Sequence, residues 1–228
     1  MANYVQDLGA FKTRLLAAKK KLVFRNFISF IAKRAPQKST ILDVGFGSGI
    51  LLKELITNFP QSNVYGIDVS ETYFNHVKAN IPKATLKIYD GLTMPFQPNT
   101  FDVVTCIQVV EHMTEPELFF KEAFTVLKPG GIAFVTTPNP DGLAAKILGT
   151  RWQGIDPEEH IALNSPATWK KFALDNGFNV TNEGTTLLSG FKIFRMFPLS
   201  LLSGLILVMF GQFKWKYGES YHLFLKKP

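Results

Sequence analysis

Glu111 and His112 stand side by side after an apolar run, and His160 follows in a loop with Asp156, Glu158 and Glu159. An imidazole is the side chain whose ordinary pKa lets it take or give a proton near neutral pH. His112 is therefore the leading candidate base, His160 the second, and Glu111 their acidic neighbour. His76 falls on a polar helical stretch and His222 in the last apolar run, and neither receives a role. A separate cluster suits ligand binding: Asp43, then Gly45, Gly47 and Gly49 after a short apolar run, with Asp68 and Asp90 closing later runs. Alternating glycines let the backbone turn tightly and approach a ligand, and Ser48 is the expected opening residue of the helix that follows.

The spacing of those glycines separates one nucleotide from another. A dinucleotide fingerprint needs its third glycine, or an alanine, where this chain has Ile50, so a pyrophosphate cradle is disfavoured. Asp68 lies about 20 residues past the glycines, where a carboxylate can accept both ribose hydroxyls. At Asp90-Gly91-Leu92 an acid can accept an adenine amino group while Leu92 packs on the ring; a turn-forming Asp-Gly pair explains the same residues.

Alternating strand and helix patterns position these groups. Strands are expected over 40–44, 64–68, 85–89, 101–107, 132–136, 178–185 and 220–226, with helices up to 58 and over 70–80, 115–126 and 166–174. This order implies an α/β fold of three layers, a doubly wound, mostly parallel sheet, with an antiparallel terminal strand from the closing hairpin. Residues 1–36 read as an amphipathic helical segment ended by Pro36, and 37–228 as the main domain, with an apolar insertion at 187–217. The long connection from 139 to 166 reads as a cover over the acceptor, with Trp152, Ile155 and His160 lining a pocket.

A chain of 228 residues with 46% hydrophobic content builds one core. Its net charge of +7 concentrates near the two ends and interleaves with apolar helix faces, which argues against a nucleic-acid partner. The single cysteine, Cys106, excludes an internal disulfide and suits a reducing compartment; with no secretory signal in view, cytoplasmic residence is the expectation. Residues 196–213 carry no charge and are flanked by Lys192, Arg195, Lys214, Trp215, Lys216 and Tyr217. That pattern suits a peripheral membrane contact through 196–217, or else a buried cap or a dimer contact.

Asp43 to Gly49 resembles motif I of class I S-adenosylmethionine-dependent methyltransferases. The similarity sharpens in Met94 to Val104 and continues through Val109 to His112, Leu127 to Gly131 and Thr136 to Asn139, in the order and spacing of the family that includes ubiquinone-biosynthesis O-methyltransferases. The resemblance implies S-adenosylmethionine as cofactor. It gives the methionine end to Asp43, Gly45, Gly47 and Gly49, with Phe46 among them. Asp68 and Val69 take the ribose, Asp90, Gly91 and Leu92 the adenine, and Gln108 with Val109 the far side of the sulfonium. Lys128 to Gly131 is expected to be only a turn. Some quinone O-methyltransferases of the family hold a divalent metal with an acid followed by this Glu-His pair; that acidic position is Gln108 here, so no metal ligand is assigned.

The implied reaction is methyl transfer to oxygen of a small or lipid-linked acceptor. An NAD-dependent oxidoreductase is the first alternative, opposed by the glycine spacing and the terminal hairpin. A non-catalytic cofactor-binding subunit of a membrane-associated complex is the second.

Overall fold

Seven strands form in the computed structural model, which describes residues 27–29, 31–152, 154, 160–185 and 217–228, and the central ones are apolar runs rich in β-branched and aromatic residues. They are β1 (Thr40–Val44), β2 (Asn63–Asp68), β3 (Thr85–Ile88), β4 (Phe101–Ile107), β5 (Leu127–Pro138), β6 (Asn179–Thr185) and β7 (Ser220–Lys226). Their order across the sheet is β3-β2-β1-β4-β5-β7-β6. β7 runs antiparallel to both β5 and β6, and the other adjacent pairs are parallel. The expected sheet with one antiparallel terminal strand is present.

Residues 27–29 and 31–32 are helical, and five further helices follow: α1 (Ile50–Asn58), α2 (Glu71–Asn80), α3 (Pro116–Val126), α4 (Leu143–Leu148) and α5 (Pro166–Asp175). Ser70 caps α2 by accepting the Tyr73 N–H, and Ser165 caps α5 by accepting that of Thr168, ahead of a proline at the first helical position. Ser48 does not play the expected part. Gly49 is the N-cap of α1, in the left-handed conformation and without a side-chain bond.

One apolar cluster, including Leu42, Val104, Phe120, Val135 and Trp169, fills one face of the sheet; another, including Ile41, Leu52, Leu55 and Val77, fills the opposite face. The central strands β1 and β4 are therefore apolar on both sides, as parallel strands between helical layers must be. Cys106 is one of these buried residues. Phe27 packs on Phe134 and Phe224, next to buried His222. Burial pushes the His222 imidazole down to about 3, so it remains neutral within the sheet.

Two expectations are corrected. Lys128 to Gly131 belong to β5, which begins at Leu127, with a register irregularity opposite Phe101 and Val103. Lys128 Nζ pairs with Asp102 at 2.9 Å, and Asp102 Oδ2 accepts the Thr40 N–H at 2.7 Å, tying β1, β4 and β5 together at their starts. The connection after β5, for which no helix is expected, also contains α4. Residues 1–26, the insertion from 187 to 216 and Ile155 with its neighbours lie outside the described residues, so the segment division and the apolar stretch are not placed. Among the described residues, no helix is long and apolar enough to cross a membrane.

Candidate active site

Parallel pairing brings the carboxyl ends of β1 to β5 to one edge of the sheet, the edge where such folds receive ligands. The loop after β1 bends at Gly45, whose φ is +73° and whose N–H donates to Ile67 O at 2.8 Å. A Cβ at position 45 would lie 2.5 Å from a Val109 methyl, so two loops from adjacent strands meet there without room for a side chain. Gly47 differs: nothing lies within 4 Å of a Cβ built on it, so its backbone faces open space.

Asp68 holds this loop in place. Its Oδ2 accepts the Gly47 N–H at 2.8 Å and its Oδ1 accepts the Ser70 N–H at 2.9 Å. A carboxylate has about four acceptor positions, so capacity remains for ribose hydroxyls. Asp43 is buried behind the loop, with Oδ1 accepting the Thr105 hydroxyl at 2.8 Å. Burial pushes its pKa up to about 7; the Thr105 hydrogen bond opposes the shift and the Asp68 charge adds to it.

Beyond β2 and β3 the lining becomes apolar and accessible. Val69 is 60% exposed and Leu92 37%, and a Cβ at Gly91 would lie 3.5 Å from Val69. Asp90 Oδ1 accepts both the Leu92 and Thr93 N–H groups at 2.8 Å, which holds its carboxyl below the usual range. The turn-forming explanation of Asp90 is thus present in the structure, and Oδ2 is left for a ligand. An acidic cradle with an exposed apolar slot beside it suits a ligand that carries positive charge at one end and a flat ring at the other, as S-adenosylmethionine does.

A second group of side chains follows β4. Gln108 has a φ of +56°, donates its N–H to Thr136 O at 2.9 Å, and its amide nitrogen donates to the Thr136 hydroxyl at 3.2 Å. Val110–His112 form one 3-10 turn that buries Glu111 completely and leaves His112 exposed. Neither Glu111 oxygen accepts a hydrogen bond. Burial pushes this carboxyl up to about 8; its own N–H and the Thr137 hydroxyl favour the charged form without reaching hydrogen-bond geometry.

The structure brings together His112 and His160, which are far apart in sequence. Ala162 N–H donates to Glu111 O at 2.9 Å and docks the stretch after His160 on the turn. The two imidazole rings then stand 4.9 Å apart at 62°. Ligand atoms of Glu111, His112 and His160 all lie within 4.8 Å of one another, a carboxylate-and-imidazole set able to share a proton or hold a divalent cation. Trp152 does not line a pocket as expected: it is 3% exposed and its indole N–H donates to Glu219 at 2.9 Å. His76 is exposed on α2, away from this group in sequence and element. Thr105, Thr137 and Gly154 were not anticipated, because their relevance depends on strand register and loop docking.

A family described as "Methyltransferase domain" matches residues 16–183. The ubiquinone biosynthesis O-methyltransferase of Stutzerimonas stutzeri is 32% identical over 119 residues, covering 49% of this chain and 50% of that protein. Its counterpart from Colwellia psychrerythraea is 36% identical over 104 residues, covering 43% and 42%. The chain thus aligns with about half the length of these curated relatives. Among solved structures, a SAM-dependent methyltransferase from Aquifex aeolicus superposes with a TM-score of 0.60 at 19% identity, covering 88% of this chain and 89% of that one.

Two outcomes follow from the cradle. Gly45→Ala forces a left-handed alanine, at about 1–2 kcal/mol, and drives a methyl into Val109. Thermal unfolding and calorimetry with S-adenosylhomocysteine should both weaken, and adding Val109→Ala should restore part of the loss. For Asp43 the sign is set by a raised pKa: its contribution to stability is full below about 3.8 and is lost as pH rises through about 7. Glu111 adds a slope of the same sign. A ligand ammonium beside Asp43 offsets that loss, so the rise in melting temperature on adding S-adenosylhomocysteine should grow between pH 6 and 8 and flatten in Asp43→Asn. An equally steep rise in the variant would refute this role.

Proposed function

The chain belongs to the methyltransferase domain family, and on that premise we propose that it transfers a methyl group from S-adenosylmethionine to an oxygen of a small or lipid-linked acceptor. Its fold is that of the class I, Rossmann-like members. The observation that carries the reading is the placement of two groups on one sheet edge: the acidic glycine-loop cradle and the Glu111, His112 and His160 cluster. The names of the curated relatives support oxygen as the acceptor atom.

When bound, the donor supplies a methyl carbon already activated by a sulfonium, so the protein's work is alignment and proton removal. Asp43 and Asp68 provide acidic groups and Asp68 fixes the loop, while the Gly45 contact with Val109 lets the backbone come close. Orientation of this kind supplies several kcal/mol of a displacement barrier. His112, or His160 beside it, takes the acceptor's proton, and the carboxyl of Glu111 lies within reach of both rings.

One observation favours a metal-assisted variant of the same reaction. The buried Glu111 carboxyl, without a hydrogen bond and beside two imidazoles, is a donor set that fits a divalent cation. Such an ion would be held by Glu111, His112 and His160 and would polarise an acceptor hydroxyl. Cytoplasmic residence and a peripheral membrane contact through 196–217 complete the proposal. They are supported by the lone buried Cys106 and by the uncharged stretch with its basic and aromatic flanks.

Calorimetry should detect S-adenosylhomocysteine binding and no NADH binding; the reverse result would sink the methyltransferase reading. With 3,4-dihydroxybenzoate as the acceptor probe, His112→Ala should leave donor affinity unchanged and lower transfer by roughly 10²–10⁴-fold. Flotation with vesicles containing an anionic phospholipid should carry the protein upward at low salt and release it at high salt. Absence from the floated fraction at low salt would exclude the membrane contact and leave the enzymatic reading intact.

A further inference from the structure

Trp152 and Glu219 lie outside the donor cradle and the histidine cluster, yet an unbroken series of contacts joins them to His160. Both are buried, and the Trp152 indole N–H donates to Glu219 Oε2 at 2.9 Å. Two residues on, Gly154 presses its backbone against the same indole: a Cβ there would lie 2.3 Å from the ring carbons of Trp152, so a side chain is excluded while the ring stays in place. The carbonyl oxygen of Gly154 is 2.7 Å from His160 Nδ1.

The far end of this series is anchored firmly. Glu219 immediately precedes β7, and its carbonyl accepts the Asn139 N–H at 2.8 Å. The buried Asn139 amide also donates to Gly218 O at 2.7 Å. The end of β5 and the start of β7 therefore act as a rigid base for Glu219, Glu219 for Trp152, and Trp152 for the backbone at Gly154.

A carbonyl oxygen only accepts hydrogen bonds. In a neutral imidazole facing one, the nitrogen at that contact carries the hydrogen and the other carries the lone pair. We propose that Glu219 and Trp152 are positioning residues for His160: through the Gly154 carbonyl they hold its ring in the Nδ1–H tautomer, so that Nε2 is the proton-accepting atom. This deepens the functional reading and rests on it for the purpose of the lone pair, since either a proton from the acceptor or a divalent cation would be met by Nε2. Free histidine prefers the opposite tautomer, so the arrangement has a cost that the buried anchor sustains.

The test needs no acceptor. Multiple-bond ¹H–¹⁵N spectra of the full chain in alkaline buffer distinguish the two neutral tautomers of each imidazole. His160 should show a protonated Nδ1 and an unprotonated Nε2. Glu219→Leu, which leaves the indole N–H without its acceptor, and Trp152→Phe, which lacks that N–H, should both lose the preference. Glu219→Gln retains an acceptor oxygen and should keep it. Thermal unfolding and S-adenosylhomocysteine titration of each variant establish that the fold persists; if Glu219→Leu does not fold, Trp152→Phe against Glu219→Gln decides. An Nε2–H form in the parent chain, or an unchanged Nδ1–H form in the folded variants lacking the bond, overturns the proposal. Failure of S-adenosylhomocysteine to bind the parent chain would instead defeat the functional reading, and the tautomer result would still judge this one.

Discussion

Buried carboxyl groups at the carboxyl ends of β1 and β2 and after β4 are the constraint around which the working edge is built. Moving a carboxylate out of water is costly unless it is hydrogen-bonded, paired or protonated. Asp68 meets the requirement with two backbone N–H groups. Asp43 meets it in part with the Thr105 hydroxyl, and Glu111 has no hydrogen bond. The two less satisfied acids are the ones whose pKa values rise, to about 7 and about 8. Cys106 on β4 has its thiol held well above its usual range by burial and by both carboxyls. A site in this condition responds strongly to a cation or a proton arriving from a ligand. In the proposed reaction a cationic methyl donor would supply the first and an acceptor hydroxyl the second.

Local features of this edge were readable from residue order. β1, β4 and β7 have the bounds that their apolar runs imply, and the glycines at 45, 47 and 49 do form the turn between β1 and α1. The departures have definable causes. Pro129-Gly130-Gly131 carries turn-forming residues, yet Lys128 pairs with Asp102 and Gly131 O accepts the Lys227 N–H, so pairing overrides local preference and extends β5. α4 has only six residues between Gly142 and Gly149, too few for a periodic apolar signal. Ser48 is a good capping residue, but Gly49 alone tolerates the left-handed turn required one position later.

The parts of the site that residue order did not reveal depend on register or on docking between distant segments. Thr105 faces Asp43 because β1 and β4 align those two residues directly. No count along the chain establishes that pairing, since a shift of one residue would turn Thr105 to the other face. His160 stands beside His112 where Ala162, two residues on, bonds to Glu111 O. A reading of Trp152 as a pocket-lining aromatic was reasonable for its type, but its polar edge found a buried carboxylate instead, as buried indoles commonly require.

These differences separate the two halves of the site by how they are determined. The donor half is made of short loops that continue directly from β1, β2 and β3, so its geometry is set by the sheet and one side chain, Asp68, that ties the loops together. The Glu111, His112 and His160 side requires the turn at 110–112 and the docking of Ala162 to be correct at once. Changes in the covering loop can therefore alter what meets His112 and His160 without disturbing the cradle. On the proposed function, acceptor specificity would vary with that segment while the chemistry of the donor is retained, a physical basis for one sheet serving many acceptors.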